Sequence, residues 1–183
     1  VGCESLYDRT EEPLRPYIGL GPDVAPTGRR SLGYDLAGGN AVGSLTTVAS
    51  VAGTTTAGLS VYAADGATGV AYAGYRAPGD AASDDVWFGR ADLVAAPGAW
   101  QEVEATGLSY VWTKVDMTTG LVVEAGPPTA MTVAHFSDSQ GGDGPGLFTI
   151  GFGCDGGAFS MDALRVGSPG DVTTYDLEGL STA

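Results

Sequence analysis

Apolar and polar residues alternate with a period of two along most of this chain, and no stretch holds a helical period. Leu147, Thr149 and Gly151 alternate with Phe148, Ile150 and Phe152. Phe159, Met161, Ala163 and Arg165 alternate in the same way with Ser160, Asp162, Leu164 and Val166. Successive side chains of a strand point to opposite faces, so this pattern predicts two half-buried strands around the turn Cys154-Asp155-Gly156-Gly157. Regular alternation places Asp162 on the face of Leu164 and Val166. A charge there is costly unless it is paired, hydrogen-bonded or metal-bound.

Further strands are expected over residues 1–6, 31–36, 44–52, 59–64, 70–75, 86–94, 100–104, 110–115 and 130–136. They are divided by turn signals such as Gly38-Gly39-Asn40, Asp65-Gly66 and Gly126-Pro127-Pro128. Residues 7–29, rich in proline, read as an ordered surface excursion, and residues 76–85 and 137–146 as loops. About ten to twelve strands at roughly 8–12-residue spacing predict one all-β, antiparallel sandwich. We place it over residues 1–170, with 171–183 as a last strand or linker tail. The ending Leu180-Ser181-Thr182-Ala183 reads as a cut within a longer protein.

Composition narrows the function. The 183 residues are 43% hydrophobic, enough for one domain with a core. Asp and Glu number 22 against 8 Lys and Arg, a net charge of −14, and Lys114 is the sole lysine. Such a surface repels phosphate backbones and anionic lipid, which argues against nucleic-acid partners. No apolar run approaches the roughly 20 residues that span a bilayer, so no membrane insertion is expected. Carboxylate-rich surfaces do suit hard cations such as calcium. The chain opens at Val1 without the charged and apolar segments of an export signal, which we read as already removed. Cys3 and Cys154 are too far apart for a zinc knuckle or a redox pair. One near each end is what a bridge between a first and a late strand needs, two buried thiols being the alternative. Such a bridge would stabilise by about 4–5 kcal/mol and implies export.

Two segments carry a family resemblance. Val1-Gly2-Cys3-Glu4 and Phe159-Ser160-Met161-Asp162-Ala163-Leu164-Arg165-Val166 resemble the two ends of galactose-binding-like jelly rolls. That family includes many non-catalytic carbohydrate-binding modules of secreted bacterial enzymes. The resemblance implies an antiparallel jelly-roll sandwich whose first and last strands lie side by side. It also implies a structural calcium between them, held by Glu4 and Asp162. The long excursion after Asp8 departs from the family pattern.

Sugar recognition needs flat rings against C–H faces and polar groups for the hydroxyls. The ring candidates are Trp87, Trp100, Trp112, Tyr72, Tyr75 and Tyr110, with core packing as their alternative role. Trp87 and Tyr75 flank the loop that contains Asp84 and Asp85, and they head the list. Asp138, Gln140 and Asp143 offer a second rim, or simply a solvated connection. Catalysis is not expected. His135 is the only histidine, no G-x-S-x-G elbow occurs, and no E-x-D-x-E strand motif occurs. Glu102 and Glu104 share a strand face, which solvent exposure explains. The expectation is a secreted or cell-surface, non-catalytic glycan-binding module. A structural or adhesin-type domain that binds another surface protein is the alternative, and a glycoside hydrolase is less favoured. An exposed strip of rings would favour sugar, whereas an exposed edge strand or flat apolar patch would favour assembly.

Overall fold

The computed structural model describes residues 17–20, 26–36, 42–176 and 178. Among them lie strands β1 (Tyr17–Leu20), β2 (Arg30–Leu36), β3 (Val42–Val48), β4 (Thr56–Tyr62), β5 (Ala67–Tyr75) and β6 (Asp85–Ala95). There follow β7 (Gln101–Glu104), β8 (Val111–Asp116), β9 (Val122–Ala125), helix α1 (Val133–Ser139), β10 (Gly146–Phe152), β11 (Gly157–Ser168) and β12 (Asp171–Tyr175). One sheet runs β1-β2-β11-β4-β7, with β12 on β11, and the other runs β3-β10-β5-β6-β8-β9.

The strand pairs are nested. β5 pairs with β6, β4 with β7, β3 with β10 and β2 with β11, all antiparallel. Successive pairs fall alternately in the two sheets, as in a long two-stranded ribbon rolled upon itself. That is the connectivity of a jelly roll. The ribbon β8–β9 and helix α1 are inserted between β7 and β10 and widen the second sheet. Alternation along β10 works as read from sequence: Phe148, Ile150 and Phe152 enter the core, where Leu59, Val61, Phe159 and Met161 meet them from the other sheet.

Three elements differ from expectation. Residues 17–20 pair as β1 within the expected excursion, and 122–125 form β9. Residues 133–139 form a helix where a strand was predicted, capped by the Thr132 hydroxyl, which accepts from the His135 N–H at 3.4 Å. The reason is tertiary: Val133 and Phe136 sit three apart on one face, and a helical turn delivers both to the core. In the tail, 171–175 pair with the second half of β11, and Glu178 accepts from the N–H groups of Arg29 and Arg30 at 2.6 Å each. The strand expected over 1–6 lies outside the described residues.

The alternation of β11 is broken where it carries its acid. Asp162 faces Ser60 and Arg165 faces Gly58, so β11 spends one more residue there than β4. That is a β-bulge. Ala163 takes a φ of 51° within it, a conformation uncommon for a residue with a Cβ. The bulge shifts the phase, so Leu164 packs with Met161 on the core while Asp162 turns to the other face. The shared face of Asp162 and Leu164 is thereby corrected.

Candidate functional site

The two rings that head the list, Trp87 and Tyr75, are core, whereas Tyr72 and Trp100 are half-buried. Tyr75, Trp87 and Lys114 are direct cross-strand neighbours on the inner face of β5, β6 and β8. Tyr75 is fully buried and Trp87 is 2% exposed. Phe136 of α1 plugs the space between them. It stacks on Trp112 at 4.1 Å and meets Trp87 edge-on at 5.0 Å and Tyr75 at 6.2 Å. These faces are spent on one another, so Trp87 and Tyr75 present no platform to a sugar. Tyr110 and Trp112 are likewise buried.

The acidic loops do converge at this end of the sandwich. The Tyr75 hydroxyl donates to the Gly142 carbonyl. Burial, then the charges of Asp143, Asp80 and Asp138, raise its pKa above the usual tyrosine value. Lys114 reaches Asp80 at 2.7 Å and Glu124 at 3.9 Å, and its Nζ lies 5.4 Å from the centre of the Trp87 ring. The hydrogen bond to Asp80, opposed by burial and helped by Asp80, Glu124 and Asp85, raises the ammonium pKa. Asp84 accepts from the Thr118 hydroxyl at 2.9 Å. Asp85 stands directly opposite Asp116 across β6 and β8, a like-charge pair that opposes the pairing. Asp116 also accepts from the N–H groups of Thr118 and Thr119. Asp138 is exposed on α1, and Gln140, its C-cap, donates to the Ser139 hydroxyl at 3.4 Å.

Asp143 is a loop fastener. It accepts from the Ser50 hydroxyl and from the Ala52 N–H. Burial pushes its carboxyl up, but the hydrogen bonds from Ser50, Ala52, Gly144 and Val51 outweigh this and lower it below the ordinary 3.8. A lowered folded pKa gives stability that is present above the unfolded value and lost as pH falls through the folded one. Asp143→Asn is therefore expected to flatten the acid limb of a melting-temperature profile as pH falls through and below the ordinary carboxylate value of 3.8. A limb as steep as the parent's would refute that role.

Most of the exposed large apolar side chains lie elsewhere, along the ribbon β8–β9, while Val94 of β6 and Val172 and Tyr175 of β12 are exposed apart from it. Leu121 is 66% exposed, Val122 64% and Val123 52%, beside Val111 and Met117. Among the described residues, β9 is an edge strand. It is created by the turn 116–121, where the Gly120 N–H donates to the Asp116 carbonyl and Gly120 takes a φ of 70°. A glycine turn followed by the run Leu121-Val122-Val123 was the signal that could have revealed this strand.

At the opposite end of the sandwich, Tyr62 and Trp100 form a partly exposed ring pair, 5.7 Å apart and tilted by 51°. Gln101 braces the adjoining loop by donating to the Ala96 carbonyl at 2.7 Å and accepting from the Ala96 N–H at 3.1 Å.

Of the expected ties to the strand over residues 1–6, one partner of each, Asp162 and Cys154, lies among the described residues. Asp162 is buried, and both of its oxygens accept from Thr27, from the N–H at 2.9 Å and the hydroxyl at 2.7 Å. Among the described residues, no three His, Cys, Asp or Glu side chains gather into a metal site. Cys154 lies in the turn between β10 and β11, packed beside Val70. Glu4 and Cys3 lie outside the described residues. Glu104 accepts from the Ala57 N–H at 2.6 Å and Glu102 reaches Arg165 at 3.4 Å, so both are engaged in holding strands. No helix among the described residues is long and apolar enough to cross a membrane. In comparisons with known proteins, the chain matches no family model, no curated protein and no solved structure.

Proposed function

We propose that this jelly roll is a non-catalytic interaction module of an extracellular surface protein, and that it holds another polypeptide through the ribbon β8–β9. One observation carries this reading: the candidate sugar-binding rings Trp87 and Tyr75 are buried, while Val122 and Val123 stand exposed on an edge strand, next to exposed Leu121. Exposed apolar edges are normally blunted or covered, so one left open calls for a partner. In the same reading, a Cys3–Cys154 bridge and a calcium held by Glu4 and Asp162 are proposed as ties that close the sandwich. They take no part in recognition.

Glycan binding is a second reading, supported by the partly exposed pair Tyr62 and Trp100. A photo-crosslinking amino acid placed at position 122 or at position 100, in cells that make the protein, separates the two. Protease-sensitive adducts at 122 are the expected outcome. Adducts at 100 alone, sensitive to glycosidases, would move the function to sugar, and the absence of adducts at 122 would overturn the first reading.

A further inference from the structure

The two faces of the β8–β9 ribbon carry different chemistry, and the edge bulge creates the division. Val115 pairs with Val122 and Lys114 with Glu124, with the register shifting between them at Val123. Val115 and Lys114 are adjacent in β8 and point to opposite sides, so their partners do too. Without the extra residue, Val122 and Glu124 would share a face. With it, one side of the ribbon presents Val111, Val115 and Val122, and the other presents Lys114, Asp116 and Glu124.

The polar side is in anionic surplus. Asp85 stands opposite Asp116, Asp84 lies beside them on Thr118, and Glu124 is 58% exposed. The one ammonium among them, Lys114, is already held by Asp80 at 2.7 Å. A second copy of this chain fits the edge poorly, because each copy carries a net −14 and would set carboxylate against carboxylate. A strand with apolar residues on one side and basic residues on the other would match both faces at once.

Resting on the reading of this ribbon as the interaction surface, we infer that β9 takes a cationic, extended polypeptide segment that alternates apolar with Lys or Arg residues and adds as the next strand of the sheet. Main-chain hydrogen bonds to the open edge would supply general affinity, and the alternating side chains would set register and choice of partner. Charge complementarity would speed the encounter and make it salt-sensitive.

The test uses the whole domain and three short synthetic peptides: one alternating valine and lysine, one alternating valine and glutamate, and the lysine peptide with a central proline. Binding is followed by amide chemical shifts. The lysine peptide should bind at least about tenfold more tightly than the glutamate peptide. It should move amides of residues 111–125 and weaken markedly between about 0.05 M and about 0.5 M salt. The proline peptide should lose most of this binding, because it cannot complete the ladder. Asp116→Asn and Val122→Lys, each checked for folding by circular dichroism, should weaken binding, whereas Asp171→Asn on β12 should not. Equal affinity for the lysine and glutamate peptides, shifts outside 111–125, or an equal loss from Asp171→Asn would overturn the inference. If adducts form at position 122 while the lysine peptide shows no preference, the interaction module stands and only its cationic strand partner falls.

Discussion

Replacing Phe136 with alanine is expected to cost about 3–5 kcal/mol, the range for removing a buried aromatic side chain when the surroundings close up only in part. For a domain of this size that lowers the melting temperature by roughly 6–20 °C. Phe136 is fully buried and meets three rings from three strands: Trp112 of β8 stacked against it, Trp87 of β6 and Tyr75 of β5 edge-on. The geometry of these pairs adds to the area they bury. The rings sit on the rigid frame of one sheet, so they cannot slide together to fill the hole. Thermal melts with near-ultraviolet circular dichroism check this, since both indoles should lose their fixed surroundings. Phe136→Leu should fall between parent and alanine. A loss under about 1 kcal/mol for the alanine variant would mean that α1 merely rests on the sheet.

The same substitution bears on the edge. Trp112 belongs to β8 and its ring lies on Phe136, so the helix braces from inside the ribbon whose outer side is exposed. Faster amide exchange across residues 111–125 should accompany the drop in stability.

The sandwich was legible because period two in the residue types survives in β5, β6 and β10, and in β11 up to its bulge. What could not be read were departures from period two set by tertiary context. Val133 to Ser139 has strand-like composition, yet Phe136 reaches its three rings only from a helical turn. The bulge at Ala163 leaves no mark in composition, and it reverses the face assigned to Asp162. Burial of Trp87 and Tyr75 was undecidable from residue type, because the same rings serve equally as core and as sugar platform. The acidic loops around Asp84, Asp85 and Asp138 converge at one end of the sandwich, which the spacing alone does not reveal. What they surround is a salt-bridged lysine over a buried indole. The site proposed in its place lies on β9, a strand that the period-two pattern does not mark.

Asp162→Ala should cost about 3 kcal/mol, or roughly 6–12 °C in melting temperature, because it removes the charged acceptor of two hydrogen bonds at a buried position. The Thr27 N–H and hydroxyl would then be left without that acceptor under a covered part of β11. Asp162→Asn separates charge from connectivity. An amide can accept from the Thr27 N–H through its oxygen and donate to the Thr27 hydroxyl through its nitrogen, since a hydroxyl does either. The asparagine variant should therefore lose only the strengthening that the charge gives, about 1 kcal/mol. Thr27→Ala in the same background closes a double-mutant cycle, whose coupling should concentrate in the hydroxyl contact. Calcium gives a second axis to the same melts. If the cation is held by Glu4 and Asp162, calcium raises the parent's melting temperature and the asparagine variant no longer responds. If Thr27 alone accounts for the buried acid, excess chelator shifts neither protein, and Asp162→Asn stays close to the parent while Asp162→Ala does not. That second pattern would remove calcium from the account of this fold and leave Thr27 as the lock on the bulged strand.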